Sequence, residues 1–157
     1  MSIFFLIALL LPQQIVIATP RGQVNIPVTN ERDIAAVAAV LLARPLGLAT
    51  SLDGSTVRAT LDGSEFEFDI GSPFVRFGNS AYPLVGGPFV ARDTLFLPLQ
   101  WLSDYVPRLL PSRYRWDPWL ARLDEVSVSA AAPVLAGPVI ASPPASPGGG
   151  TPAPVVA

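Results

Sequence analysis

Three carboxylates occupy every second position of the segment SEFEFDI: Glu65, Glu67 and Asp69. On a β-strand, side chains two residues apart point to the same face and lie about 7 Å from each other. Such a row could supply an acid/base pair or oxygen ligands for calcium. Phe66 and Phe68 alternate with the carboxylates, as expected of a strand with one buried face and one solvated face. This simpler interpretation is favoured, and we predict no catalytic residue and no metal site here.

A second group combines arginines of the segment SRYRWDPWLAR with five aromatic rings: Trp101, Tyr105, Tyr114, Trp116 and Trp119. Exposed rings could stack on sugars, and guanidinium groups could hold anionic polymers. Trp101 and Trp116 fall on predicted buried faces, which favours core packing for most of the aromatic residues. Trp119 directly follows a turn and is the ring that we most expect to be exposed. The predicted binding residues are Trp119, Arg113, Arg115 and Arg122.

The composition excludes several classes of function. The chain has no histidine and no cysteine, so it cannot form a Ser-His-Asp or Cys-His site, a disulfide or an imidazole metal site. Its formal net charge of −2 provides no general attraction to nucleic acid. We therefore expect that these 157 residues are not an enzyme, carry no cofactor and bind no nucleic acid.

The N-terminal segment is predicted to be a signal peptide spanning residues 1–18. Its apolar run from Ile3 to Leu11 is too short to cross a bilayer as a helix, which needs about 20 residues, but it has the length of a signal-peptide core. Ala18 and Val16 supply the small residues of a cleavage site. A core helix is the alternative, although Pro12 would break it. We expect export to the periplasm or cell envelope, with no transmembrane span after cleavage.

Residues 129–157 contain no charge and are rich in proline, alanine, glycine and serine. This composition is typical of an extended linker, so we predict a disordered linker or tail. A linker commonly joins two domains. The segment is therefore either a tether or the connection to a further domain beyond residue 157.

Between these ends, proline-interrupted strands precede segments with helical spacing. The first helix is expected to start at the N-cap Asn30 and to end at Pro45, and the second to carry Pro98 in its first turn. Asp-Gly pairs at 53–54 and 62–63 predict hairpins. We predict an α+β fold of two related strand-helix-β-hairpin units packed as one small domain, residues 19–128. The apolar stripe of the first helix is predicted to be Ile34, Val37, Ala38, Leu41 and Leu42.

The motifs IPV and LPL, the WD hairpin and the segment GSPFVRFGNSAYPL together resemble the copper amine oxidase N-terminal-like domain. A similar region precedes the catalytic domain in some bacterial N-acetylmuramoyl-L-alanine amidases. The resemblance covers about residues 23–126 and implies a non-catalytic extracytoplasmic module that binds no copper. It would position or tether a cell-wall enzyme, with peptidoglycan or another envelope polymer and a C-terminal catalytic domain as partners. The alternative is a protein-protein interaction or stalk module without affinity for the wall.

Overall fold

The computed structural model describes residues 13–127, and these residues fold into twelve strands in three sheets with two short helices. Neither the apolar run at 3–11 nor the predicted tail at 129–157 lies within the described residues. None of the helices between residues 13 and 127 is both long and apolar enough to cross a membrane.

The first sheet brings the two ends of the described chain together. Its strand order is β11-β12-β1-β2. β1 pairs antiparallel with β2 on one side and parallel with β12 on the other, so it is an inner strand. The strands of this sheet are β1 (Gln14–Thr19), β2 (Gly22–Pro27), β11 (Tyr114–Asp117) and β12 (Arg122–Glu125).

The second sheet is a five-stranded antiparallel meander that follows the chain order. The hairpins predicted at the Asp-Gly pairs are confirmed: they join β4 to β5 and β5 to β6. Asp62 and Gly63 both have positive φ, 50° and 75°, as a tight hairpin turn requires. The strands are β4 (Ala49–Asp53), β5 (Thr56–Leu61), β6 (Ser64–Asp69), β7 (Phe74–Phe77) and β8 (Ser80–Pro83).

The third sheet has three strands in the order β3-β10-β9, and the helical segments adjoin it. Helix α1 follows β3 directly and ends at Gly47, whose φ of 65° lets the chain leave the helix. A single π-helical turn, Trp101–Tyr105, runs into the short helix α2. The elements are β3 (Ala36–Ala38), α1 (Ala39–Leu46), β9 (Phe89–Ala91), β10 (Thr94–Pro98) and α2 (Val106–Leu109).

The predicted α+β fold of two related strand-helix-β-hairpin units is wrong. Half of the structure is strand and only 19% is helix. The hairpin after α1 begins the five-stranded meander, whereas the hairpin after α2 joins β1 in the four-stranded sheet. The two segments with similar sequence patterns therefore have different neighbours and do not form equivalent units.

The first predicted helix fails because its N-terminal half pairs as a strand. Arg32 and Asp33 have φ values of 58° and 59°, which stops a helix from starting at Asn30. Val37 pairs with Leu97 of β10 and is fully buried. The helix starts only at Ala39, and this leaves Leu41 40% exposed, although it was predicted to be in the core.

The second predicted helix begins at Leu99, directly after β10, and continues through the π-helical turn into α2. Pro98 is the last residue of β10 and is not in a helix's first turn; the pairing with β3 continues past it, because the N–H of Leu99 donates to the carbonyl of Ala35 at 2.8 Å. The predicted apolar stripe of this segment is nevertheless confirmed as buried: Trp101, Leu102, Tyr105 and Val106.

All three sheets contribute to one hydrophobic core. Trp101 lies at its centre, with its ring edge-to-face against Phe66 at 5.3 Å and against Phe68 at 5.6 Å between centroids. Ile17 of the first sheet and Leu97 of the third are also fully buried in this core. The core of residues 13–127 therefore contains side chains from all three sheets.

Of the predicted signal peptide, the structure describes residues 13–18, and all of these except residue 13 belong to β1. Ile15 and Ile17 have relative exposures of 1% and 0%, and they lie on the inner face of an inner strand. A cut after Ala18 would remove both side chains and the pairing partner of β2 and β12.

Candidate binding surface

Hydrogen bonds within the turn between β11 and β12, and one to β1, fix its backbone. The Oδ1 atom of Asp117 accepts the N–H groups of Trp119 at 2.9 Å and Leu120 at 3.1 Å. The carbonyl of Ala121 accepts the N–H of Val16 in β1 at 2.9 Å. The turn is therefore attached to the inner strand of the sheet, although it lies at the surface.

Trp119 and Leu120 form the apolar tip of this hairpin. Trp119 is 94% exposed and Leu120 is 56% exposed. The predicted exposure of Trp119 is confirmed. Because the turn fixes the backbone, a ligand that packs on the indole ring would meet a largely preformed surface.

Arg113 lies immediately before β11 and is engaged by carboxylates. Its Nη2 donates to Oδ1 of Asp62 at 2.8 Å, and its Nε lies 2.7 Å from Oδ2 of the same side chain. Glu125 is a further neighbour, 3.8 Å from Nη2. Asp62 lies in the β5–β6 turn, so this ion pair links the meander to the four-stranded sheet and leaves Arg113 with little capacity for a ligand.

Arg115 and Arg122 share the outer face of the hairpin but differ in their partners. Arg115 lies opposite Asp124, and Arg122 lies opposite Asp117. The Nε of Arg122 is 2.9 Å from Oδ1 of Asp124. Arg115 is exposed and makes no ion pair among residues 13–127, so of the three predicted arginines it has the most freedom to bind an anion.

The remaining aromatic residues of this region belong to the core or pack against it. Trp101 is fully buried, Tyr105 and Tyr114 are 5% and 2% exposed, and Trp116 packs against the core from a half-buried position. Burial raises the pKa of Tyr114 to about 12. The carboxylates of Glu125 and Asp62 contribute to this rise in pKa, and Arg113 opposes it.

The carboxylate row on β6 forms a ladder of ion pairs with the neighbouring strands. Arg76 of β7 pairs with Glu67 and lies 2.9 Å from Asp69, and Arg58 of β5 lies 3.7 Å from Glu67 and 4.0 Å from Glu65. Two guanidinium groups therefore flank the three carboxylates on a solvent-accessible face. No cluster of three or more metal-ligating side chains was found between residues 13 and 127.

One apolar feature was missed by the sequence analysis: a groove of about 480 Å³ between β2 and α1. Val24, Val40 and Leu41 line it with 44%, 69% and 40% exposure. The apolar spacing predicts a fully buried helical stripe and therefore does not indicate that one side of α1 remains open. The feature of the sequence that could have indicated this groove is the lack of charged residues along β2.

No family model, curated protein or solved structure matches the chain. The resemblance to the copper amine oxidase N-terminal-like domain therefore stays a prediction based on the short motifs quoted above.

Proposed function

We propose that the chain is a non-catalytic extracytoplasmic accessory module that positions or tethers a cell-wall enzyme at the envelope. By resemblance, the enzyme is a peptidoglycan amidase. The observation that carries the proposal is the rigid hairpin tip, where the 94% exposed ring of Trp119 stands on the same hairpin as Arg115, which has no ion pair within residues 13–127. An exposed tryptophan on a fixed turn is typical of a binding surface.

The tip has the chemistry to bind a polymer that alternates sugar rings with anionic groups. The indole face of Trp119 would stack on a sugar, and Arg115 would hydrogen-bond a carboxylate or phosphate. Arg113 and Arg122 take a supporting role in this proposal, because their carboxylate partners Asp62 and Asp124 hold them against the protein.

The proposed position of signal-peptide cleavage differs from the predicted cut after Ala18. Cleavage after Ala18 would leave a chain without β1, whose Ile15 and Ile17 are core residues. We therefore propose that any processing during export leaves residues from Gln14 onward in the mature protein. N-terminal sequencing of the exported chain tests this, and a mature N-terminus at Thr19 would contradict it.

The wall-binding proposal is tested by sedimentation of the full chain with purified, insoluble peptidoglycan. The chain should pellet at low salt, where an arginine contact is least screened. Trp119→Ala should weaken binding at least about fivefold, equivalent to about 1 kcal/mol, as expected for a central contact residue. Arg115→Ala should weaken binding and reduce its dependence on salt.

Two variants provide matched controls. Phe74 is another exposed aromatic residue, at 50%, and Arg21 is an exposed arginine beyond the opposite end of β1. Phe74→Ala and Arg21→Ala should bind like the wild-type chain. If the wild-type chain stays in the supernatant, wall binding is refuted and the stalk or protein-interaction alternative takes its place. If Trp119→Ala and Phe74→Ala bind alike, the hairpin tip is not the binding surface.

A further inference from the structure

Within residues 13–127, strand β2 has no strand on one side, and its hydrogen-bond pattern shows which backbone groups point toward this free edge. β2 is the last strand of the four-stranded sheet. The N–H of Val28 donates to the carbonyl of Gln13 at 2.7 Å, so every second residue back from Val28, including Val24, bonds to β1. The N–H and C=O groups of Gln23 and Asn25 therefore point away from β1, toward the free edge.

An apolar groove adjoins this edge on the α1 side. The side chain of Val24 is on the inner face of the sheet, opposite Ile17 of β1. Val40 and Leu41 of α1 line the other wall. An additional strand beside β2 would place alternate side chains against these three residues, which is the geometry of strand addition.

β2 is better suited to strand addition than the other free edges among residues 13–127. It has six residues and no charged side chain. β4 ends in Asp53, β11 carries Arg115 and Asp117, and the remaining edge strands have three or four residues. Charges and short length are the usual protections of an edge against pairing.

We propose that β2 pairs antiparallel with β2 of a second copy of this chain, with a twofold axis at Val24. Gln23 then lies opposite the partner's Asn25, and by symmetry the two pairs make four main-chain hydrogen bonds. Every group that this register needs is one that points outward. Pro27 has no N–H and would interrupt a longer ladder of hydrogen bonds. In this register it lies outside the hydrogen-bonded pairs, so it does not prevent the pairing.

The side chains are also self-complementary in this register. Val24 faces the partner's Val24, and the exposed Val40 and Leu41 of each copy extend the contact. The apolar groove of each copy is therefore covered by the same groove of the other copy. Arg21 and Arg44 line one end of the groove. The twofold axis places Arg21 opposite the partner's Pro27, so the two copies of Arg21 do not meet. This self-association uses a different surface from the hairpin tip and does not depend on the proposed wall binding.

Disulfide trapping tests the register, because the chain contains no cysteine. Directly opposed residues in a non-hydrogen-bonded pair have Cα atoms about 4.5 Å apart, within the range of a disulfide. Val24→Cys in the full chain should form a covalent dimer under mild oxidation at least tenfold faster than Leu52→Cys. Leu52 is the matched control, since it is 52% exposed on the edge strand β4.

Sedimentation measures the association without a crosslink. The wild-type chain should approach twice its mass of 16.6 kDa at about 100 µM. Asn25→Pro removes an outward N–H and leaves the bonds to β1, so it should weaken self-association at least tenfold. A monomeric wild-type chain, equal crosslinking of the two cysteine variants, or an unchanged Asn25→Pro dimer would each overturn the proposal. A monomeric Val24→Cys variant whose thiol resists alkylation would also overturn it, because another segment or partner would then cover the groove.

Discussion

Replacing Ile17 by alanine should destabilise the protein by about 3–4 kcal/mol. Ile17 is fully buried on β1, between β2 and β12. The change removes three buried carbon atoms, which at roughly 0.8 kcal/mol each accounts for about 2.4 kcal/mol. The cavity left behind adds the remainder, because strand pairing on both sides prevents β1 from collapsing into the space.

Denaturant unfolding of the full chain, followed by tryptophan fluorescence, measures this loss. A domain of this size has a total stability on the order of 5–15 kcal/mol, so the variant should stay folded with a lower midpoint and an unchanged slope. Val40→Ala is the matched control. It is an apolar residue that is 69% exposed, and its loss should cost less than about 0.5 kcal/mol.

The result also decides whether β1 belongs to the folded domain. If Ile17→Ala and Ile15→Ala each change the free energy of unfolding by less than about 0.5 kcal/mol, residues 14–19 contribute nothing to the core. The placement of β1 in the sheet would then be refuted, and cleavage after Ala18 would cost the domain nothing.

Two further predictions concern the core and pH. Phe68→Ala should lower the free energy of unfolding by about 3–5 kcal/mol, because the ring is 1% exposed. Leu41→Ala should lower it by less than about 1 kcal/mol, because Leu41 is 40% exposed. Denaturant titrations of both variants measure this difference, and equal losses would contradict the placement of α1. Tyr114 has a pKa raised from 10.0 to about 12, so its contribution to stability is fully present below pH 10 and is lost as the pH rises from 10 to 12. Absorbance titration of the phenolates should show a group near pH 12 that disappears in Tyr114→Phe, and an identical titration curve for that variant would contradict the burial of this ring.

Local turn chemistry made the hairpins predictable from the sequence. The Asp-Gly pairs fix turns between segments that alternate apolar and polar residues, and both the turns and the strands β5 and β6 are where the pattern places them. Phe66 and Phe68 are buried as predicted. These features depend on residues close together in the sequence, and so a single chain is sufficient to predict them.

The long-range pairings could not be read from the sequence. Val37 fits a helical stripe, but its partner Leu97 is 60 residues away and makes it part of a strand. β1 was not predicted for a related reason: its alternating Ile15 and Ile17 lie four residues or more after an apolar run, and their place in a sheet depends on pairing with β2 and with the distant β12.

The candidate binding surface was also only partly predictable from the sequence. The position of Trp119 after a turn predicted its exposure, because a tight turn at a hairpin end has no neighbour to cover it. The role of Arg113 was not predictable, since Asp62 reaches it from a turn 51 residues earlier in the chain. Arginines close together in the sequence are therefore not all available to a ligand.

Fluorescence quenching tests most directly the proposed contact between the ring of Trp119 and the wall polymer. The difference in iodide quenching between the wild-type chain and Trp119→Phe isolates the fluorescence of Trp119, because Trp101 is buried and Trp116 is half-buried. Soluble peptidoglycan fragments, titrated into both proteins, should protect Trp119 from iodide and saturate at a defined concentration. Quenching of Trp119 that stays unchanged at fragment concentrations that saturate binding would contradict the claim.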